Sequence, residues 1–329
     1  MGAHAASVSA ANRLLLAAAL AVPGAVSGQP ASTGAGAAYP VKPIRIITSE
    51  AGGGSDLAAR TIAQGIAGSL GQAVVVENRT ASLAPELVAK APADGYALHV
   101  NGTAFWLGPL IRKAAYHPVN DFATITILTI APTIFVVHPS LPVKSVRELI
   151  SLARARPGAL NYGSASVGSS SHLGMELFKS MAGIDIVHIP FKGTGSAMIG
   201  LIGGQVQLMS SPPSTVAPHT KSGKLRAVAV TSAQPSALFP ELPTVAATVP
   251  DYEAVTRTGV WAPARTPASV INRLNQEIVR AFGQADVKDM YFKLGYEVVG
   301  STPEQMSATV KSEMASLGKV IRDAGIREE

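Results

Sequence analysis

A chain of 329 residues can bury a large core and is long enough for about two domains. With 47% hydrophobic and 5% aromatic residues it is neither a disordered chain nor a binder that stacks nucleic-acid bases on its rings. The formal charge of +6 is scattered, which reads as a solvated basic surface with a mild preference for anions, and the lack of cysteine excludes disulfides, thiolate catalysis and Cys-ligated zinc.

Residues 1–38 hold one charged residue, Arg13, followed by an apolar run from Leu14 to Val22 and the small residues Ala25 to Gly28. That order predicts a signal peptide over 1–27, cleaved near Ser27, because the run is shorter than the ~20 residues that span a bilayer. Loss of Arg13 leaves +6 − 1 = +5 on the mature chain. Without a cysteine, no lipid anchor of the cysteine-linked kind is expected. Residues 28–38 read as an Ala/Gly/Ser-rich tether.

From Tyr39 onward strands and helices alternate. Strands are predicted at Ile44–Thr48, Ala73–Glu77, Ala97–Val100, Ile134–His138, Leu160–Tyr162, Ile186–Ile189, Val206–Met209 and Ala227–Thr231. Helices are predicted at Leu57–Leu70, Val146–Ala155 and Leu173–Met181, the second opened by a capping box, Ser145 with Glu148. This alternation predicts parallel sheets covered by helices. After Pro250 three helices follow. One starts at Thr266-Pro267 with Thr as N-cap, one runs from Val287 to Leu294, and one starts at Thr302 with a capping box to Gln305.

Two turns carry the chemistry. Gly52-Gly53-Gly54-Ser55-Asp56 lies between the first strand and its helix, where Ser55 or Asp56 can cap and the free N–H groups can seat an anion. Gly168-Ser169-Ser170-Ser171 opens a second helix with hydroxyl donors. Two such helix starts converging on one point would hold a carboxylate without a formal positive charge.

A set of motifs in order resembles one family. It begins with Tyr39-Pro40, Lys42-Pro43 and the first glycine turn, and continues through Gly71-Gln72, Glu77-Asn78-Arg79 and Asp94-Gly95-Tyr96. Asn161-Tyr162-Gly163-Ser164, the serine turn with His172-Leu173, and Ile189-Pro190-Phe191-Lys192-Gly193 follow. Gly203-Gly204-Gln205-Val206, Gly223-Lys224-Leu225 and Ala262-Pro263 with Thr266-Pro267 complete it. The chain from Tyr39 to Ile326 resembles the extracytoplasmic solute receptors of tripartite tricarboxylate transporters, the Bug proteins.

The resemblance implies an α/β, two-domain type II periplasmic-binding-protein fold with a hinged interdomain cleft. Domain 1 would hold 39–129 plus 248–329, and domain 2 would hold 130–247. It implies a periplasmic receptor that captures a small organic acid for a membrane transporter, with no catalytic residue, cofactor, metal or nucleic acid, acting as a monomer. A receptor for a signalling partner and an exported hydrolase stand as alternatives. The loops expected to face each other are Gly52–Asp56 and Ser164–Ser171. The ligand-binding residues expected are Ser49, Glu50, Gly53, Gly54, Ser55, Asp56, Thr103, Trp106, Ser164, Ser166, Ser169, Ser170, Ser171 and Ser211.

Departures from the family pattern bear on the ligand. Glu50 stands beside the first turn, Ser211 replaces a common aspartate, and Phe105 and Trp106 add apolar surface. Together they predict a monocarboxylate with an apolar body. Other chemistries fit less well. Gly52-x-Gly54-x-x-Leu57 with Glu77 approximates a dinucleotide fingerprint but lacks the third glycine. Ser164-Ala165-Ser166-Val167-Gly168 misses the first glycine of a nucleophile elbow, although His172 lies close in sequence. The histidines show no metal-binding pairing.

Overall fold

The computed structural model describes residues 39–49 and 51–327; the expected signal peptide and tether, and Glu50, lie outside the described residues. The first strands are β1 (Ile44–Thr48), β2 (Val74–Asn78), β3 (Ala97–Gly102), β4 (Phe122–Pro132) and β5 (Ile134–Val137). They are followed by β6 (Asn161–Ser164), β7 (Val187–Pro190), β8 (Leu208–Ser211), β9 (Arg226–Val230), β10 (Val255–Pro263) and β11 (Glu297–Val298). The helices begin with α1 (Gly54–Leu70), α2 (Leu83–Ala89), α3 (Ala104–Ile111), α4 (Val146–Ala155) and α5 (Ser170–Ala182). The rest are α6 (Thr194–Ile202), α7 (Pro213–Lys221), α8 (Ala268–Phe282), α9 (Ala285–Lys293) and α10 (Pro303–Asp323).

Two sheets result, ordered β11-β4-β10-β3-β1-β2 and β7-β6-β8-β5-β9. Their hearts are parallel: β1 lies between β2 and β3, and β6 between β7 and β8. The buried Ile44, Ile46 and Ile47 suit a strand covered on both faces. The sheets are mixed rather than purely parallel. β10 runs antiparallel to β3 and β4, and β5 antiparallel to β8 and β9. β4, β10 and β11 were not among the predicted strands, although β4 carries a β-branched run, Thr124-Ile125-Thr126-Ile127.

β4 ends at Pro132 in one sheet and β5 begins at Ile134 in the other, so Thr133 alone makes the first crossing. The chain returns between β9 and β10. At the crossing Thr133 N–H donates to Thr231 Oγ1 (2.8 Å) and Thr231 N–H to the Thr133 carbonyl (3.0 Å). The Thr133 hydroxyl also meets Ser210 Oγ at 2.5 Å, and all three residues are buried.

Helix starts follow local chemistry. Ser145 caps α4, but the Glu148 carboxylate takes the Lys144 N–H rather than that of Ser145, so the box is half closed. Thr302 and Gln305 close a full capping box on α10. Thr266 does not cap α8; its hydroxyl donates to the Pro263 carbonyl (2.7 Å), and Pro267 holds the cap position. α8 packs on α1 and β4, whereas α10 packs on α3 and β4 of the first sheet and also on α5 of the second. One apolar cluster accordingly runs from Trp106 and Trp261 through Val310 and Leu317 to Phe135 and Phe178.

His99 sits in that interior beside Phe105, Phe122 and Trp261, fully buried. Its Nδ1–H donates to the Ile47 carbonyl (2.9 Å), and Asn101 Nδ2 lies 3.3 Å from its Nε2. Burial pushes its pKa down from 6.5 to about 4. The unfolded chain therefore binds the proton first as pH falls. Stability is intact above pH 6.5 and is lost down to pH 4, by up to about 3 kcal/mol at about 1.4 kcal/mol per unit. Denaturant midpoints should fall across this window, and less steeply for His99→Gln. Equal slopes in the two proteins would refute this assignment.

Candidate functional site

Parallel neighbours in a sheet place their C-terminal loops side by side, at the edge where open α/β sheets bind ligands. The loops after β1 and β3 are neighbours in the first sheet, and those after β6 and β8 in the second. The cavities show how these loops oppose each other. A cavity of about 290 Å³ joins the start of α3 (Gly102, Thr103, Ala104), its later residues Leu107 and Ile111 and its C-cap Arg112 to Ser166–Ser170, Leu173 and Thr256. A wider groove of about 690 Å³ joins Gly52, Gly53 and Gly54 to Pro213 and Ser214 at the start of α7. Leu238, Phe239, Phe292, Leu294 and Tyr296 complete its walls. None of these cavities is lined by both the glycine turn and the serine turn. The loop after β3 opposes the loop after β6, and the loop after β1 opposes the start of α7.

In the glycine turn Gly53 occupies the N-cap of α1 without a side-chain cap, and Ser55 does not cap it. Asp56 turns inward instead. Its carboxylate accepts Gly52 N–H (2.9 Å), Arg60 Nε–H (3.1 Å) and Asn78 Nδ2–H (2.8 Å). The Arg60 bond, foremost, lowers its pKa to about 2. Asp56 thus braces the turn rather than facing a ligand. Ser49 is half-buried, and its carbonyl accepts from Asn78 Nδ2 (2.7 Å). Gly53 and Gly54 remain exposed on the groove, as first-turn positions whose N–H groups have no intrahelical partner.

The serine turn divides likewise. Ser164 is fully buried, and its hydroxyl donates to the Ser166 carbonyl (3.0 Å) and lies 2.7 Å from His188 Nε2, so it points away from the cavity. Ser169 is the N-cap of α5: its hydroxyl accepts His172 N–H (3.3 Å) and donates to the Ser166 carbonyl (2.7 Å). Ser171 Oγ accepts Ala165 N–H (3.3 Å). Ser166 and Ser170 are exposed and line the cavity. Gly168 makes the reversal with φ +75°, and a Cβ there would lie 2.6 Å from Ile111 Cδ1, so the turn packs directly on α3.

Two expected residues belong to the interior. Trp106 is fully buried and donates its Nε1–H to Glu313 Oε2 (2.8 Å); Phe105 packs among Tyr116, Phe122 and Trp261. Both lie on α3 rather than in an open loop, and that helix buries them. Ser211 ends β8 fully buried, with no hydrogen-bond partner for its hydroxyl. Thr103 does reach the cavity while tying α3 to β10: its Oγ1 accepts Arg257 N–H (2.8 Å).

The sequence reading missed Arg112, Leu107, Ile111 and Thr256, which line the same cavity. It also missed an adjoining small cavity that shares Thr103, Leu107, Ser170, Leu173 and Thr256 and adds Glu253 and Glu313. These two carboxylates share one buried guanidinium, Arg257. Burial, above all, raises the pKa of Glu313.

The competing chemistries find no geometry. His172 Nδ1 accepts Gly168 N–H (3.0 Å) and is not aimed at a nucleophile, and Ser164, bonded to His188, has no access to substrate. Glu77, the acid of the dinucleotide fingerprint, is held by Arg45 (2.5 Å) and Arg79 (3.0 Å).

Two mixed sheets joined by crossing strands, with a ligand-sized cavity between their loops, define a solute receptor of the type II periplasmic-binding-protein fold. The chain belongs to the tripartite tricarboxylate transporter family of receptors, whose family model matches residues 58–326. Protein BugT of Bordetella pertussis is 33% identical over 297 residues, covering 88% of this chain and 91% of that protein. Among solved structures, Rpa4515 of R. palustris with adipate is 34% identical, with TM-score 0.67 over 88% of this chain and 99% of that one. MatC from Rhodopseudomonas palustris with bound malate is 29% identical, with TM-score 0.64 over 86% and 100%.

The buried cation between Glu253 and Glu313 generates a stability test. Removing one partner of a buried ion pair leaves an uncompensated charge, at a cost of about 3–5 kcal/mol. Arg257→Met should lose that much in urea unfolding, and adding Glu313→Gln should recover part of it. A neutral Arg257→Met would show that the pair does not hold the fold.

Proposed function

We propose that this protein is a non-enzymatic periplasmic receptor that captures one small monocarboxylate between its lobes and delivers it to a membrane transporter. The observation that carries this reading is the cavity joining the start of α5 and Arg112 to an apolar wall of Leu107, Ile111, Val167 and Leu173. Hydroxyls of Ser166 and Ser170 and the N–H groups at the start of α5 suit a carboxylate, and the helix dipole and Arg112 add favourable charge. The apolar wall suits the ligand's body. The relatives solved with adipate and malate support an organic acid as the class of ligand.

The preference for one carboxylate now rests on different residues. Phe105 and Trp106 lie in the core and contribute no wall. Arg112 is the one charged side chain lining the cavity, while Glu253 and Glu313 line the space adjoining it. A second ligand carboxylate directed there would be repelled by ~1–4 kcal/mol at 4 Å in a high effective dielectric. Gly53, Gly54 and Ser55 would meet the ligand or the opposite lobe when the crossing strands let the lobes rotate together.

Titration calorimetry should rank benzoate- and hexanoate-like acids above adipate, malate and citrate. Glu253→Gln should narrow that gap, and Ser170→Ala should weaken all of them by about tenfold, the equivalent of ~1.4 kcal/mol. Small-angle scattering of the saturated sample should show a smaller radius of gyration. Tightest binding of citrate, unmoved by Glu253→Gln, would refute the monocarboxylate reading.

The N-terminal pattern supports export with cleavage near Ser27 and no lipid. The intact mass of protein from the native periplasm should match a chain lacking the first 27 residues. Recovery of exported protein with Met1–Ala25 attached would overturn this reading.

A further inference from the structure

Beneath the serine turn lies a stack of rings that ligand capture itself does not use. His172 on α5 and His188 on β7 lie 3.8 Å apart between ring centroids, tilted by 13°, and Tyr162 on β6 stacks on His188 at 4.9 Å. Each imidazole holds part of the turn above it. His172 Nδ1 accepts Gly168 N–H at 3.0 Å, and His188 Nε2 lies 2.7 Å from the Ser164 hydroxyl, which donates to the Ser166 carbonyl. A backbone N–H can only donate, so His172 must leave Nδ1 bare and carry its proton on Nε2. Gly168 is also where the turn presses on Ile111 of α3.

We propose that His172, backed by His188, is a positioning residue for the ligand turn: neutral, it anchors Gly168 and so sets Ser166–Ser170 against α3, and protonated, it cannot accept that N–H and the turn loosens. The receptor then releases its carboxylate more readily in acid. This rests on the reading of Ser166–Ser170 as the ligand seat.

The groups facing the pair are Glu176 and Lys179 on α5, Tyr162 on β6 and Arg327 beyond α10, which shares a cavity of about 410 Å³ with both histidines. Glu176 favours a proton on either ring, but it already accepts the Tyr162 hydroxyl (2.6 Å) and Lys179 Nζ (2.7 Å). Burial, above all, lowers both imidazole pKa values, that of His188 to about 4, with further opposition from Lys179. The His172 anchor is therefore intact above pH 6.5 and is lost only below it, as falling pH protonates the ring.

The first test needs no ligand. Amide and imidazole NMR of the free protein should show His172 as the Nε2–H tautomer, with the Gly168 amide titrating in step with its ring. In His172→Asn, whose side-chain oxygen can accept the same N–H without titrating, the Gly168 amide should stay fixed over the same range. A Gly168 amide indifferent to the His172 ring, or an unchanged titration in His172→Asn, would overturn the proposal.

The second test uses hexanoate as probe. At pH 7, His172→Asn should bind it like the wild type and His172→Phe about tenfold more weakly. At pH 5 the wild type should lose more affinity than His172→Asn, by up to tenfold for one pKa unit of coupling. The probe's own protonation is the same in both titrations, so the difference belongs to the protein. Equal acid losses in wild type and His172→Asn would overturn the coupling to ligand. If hexanoate fails to bind the wild type at pH 7, the monocarboxylate reading fails while the amide titration still judges the anchor.

Discussion

Where the chain passes between its two sheets, a buried hydroxyl network fixes the geometry on which everything else depends. Thr133 N–H donates to the Thr231 hydroxyl and Thr231 N–H to the Thr133 carbonyl, Ser210 joins through its hydroxyl, and Ala254 N–H donates to the Thr231 carbonyl (3.0 Å). Buried polar groups need partners, so these side chains tie the outgoing segment to the returning one. The relative placement of the sheets then depends on a few torsions near one point. α10 adds a third tie, since it packs on α3 of one lobe and α5 of the other. Such joints concentrate rigid-body rotation, which is the motion a solute receptor uses.

The same geometry decides which loops meet. Strand order sets the loops after β1 and β3 side by side in one lobe and those after β6 and β8 in the other. The crossing brings the α3 start to the serine turn and the glycine turn to α7. The result is a polar seat with one apolar wall beside a wider groove rich in Leu and Phe. Charge is distributed with the same economy. Arg112 lines the cavity, while Arg257 lies inside the protein between Glu253 and Glu313. That buried triad also receives the Trp106 indole N–H, so an aromatic expected at the ligand instead braces the wall behind it.

The serine turn is supported from below as well as shaped from within. Its hydroxyls are mostly engaged with one another and with the backbone, Ser169 and Ser171 in particular, which leaves Ser166 and Ser170 facing the cavity. The serines of this turn therefore do two jobs. Part of it builds a rigid turn, and the remainder presents donors. The stacked imidazoles extend that rigidity into the sheet.

Much of this was written into local sequence. Apolar β-branched runs specified the parallel strands, because a strand covered on both faces needs them. Thr302 with Gln305 specified the start of α10 by capping chemistry, and the ordered motifs from Tyr39 to Ile326 specified the family. Ser166 and Ser170 were expected at the ligand through the resemblance, together with Ser169 and Ser171, which instead cap the helix and hold the turn. What sequence could not decide was direction across the chain. Ser164 and Ser170 are the same residue type six positions apart, yet one faces His188 and the other the cavity. Trp106 lies on α3 and Arg112 at its C-cap, and only the packing of α3 against Glu313 and the serine turn assigned one to the core and the other to the cavity. Asp56 was turned inward by Arg60 and Asn78, the latter 22 residues away. Local patterns fix elements because propensity and capping act over a few residues; which side chain meets which is set by contacts distant in sequence, and those exist only once the two sheets have been folded against each other.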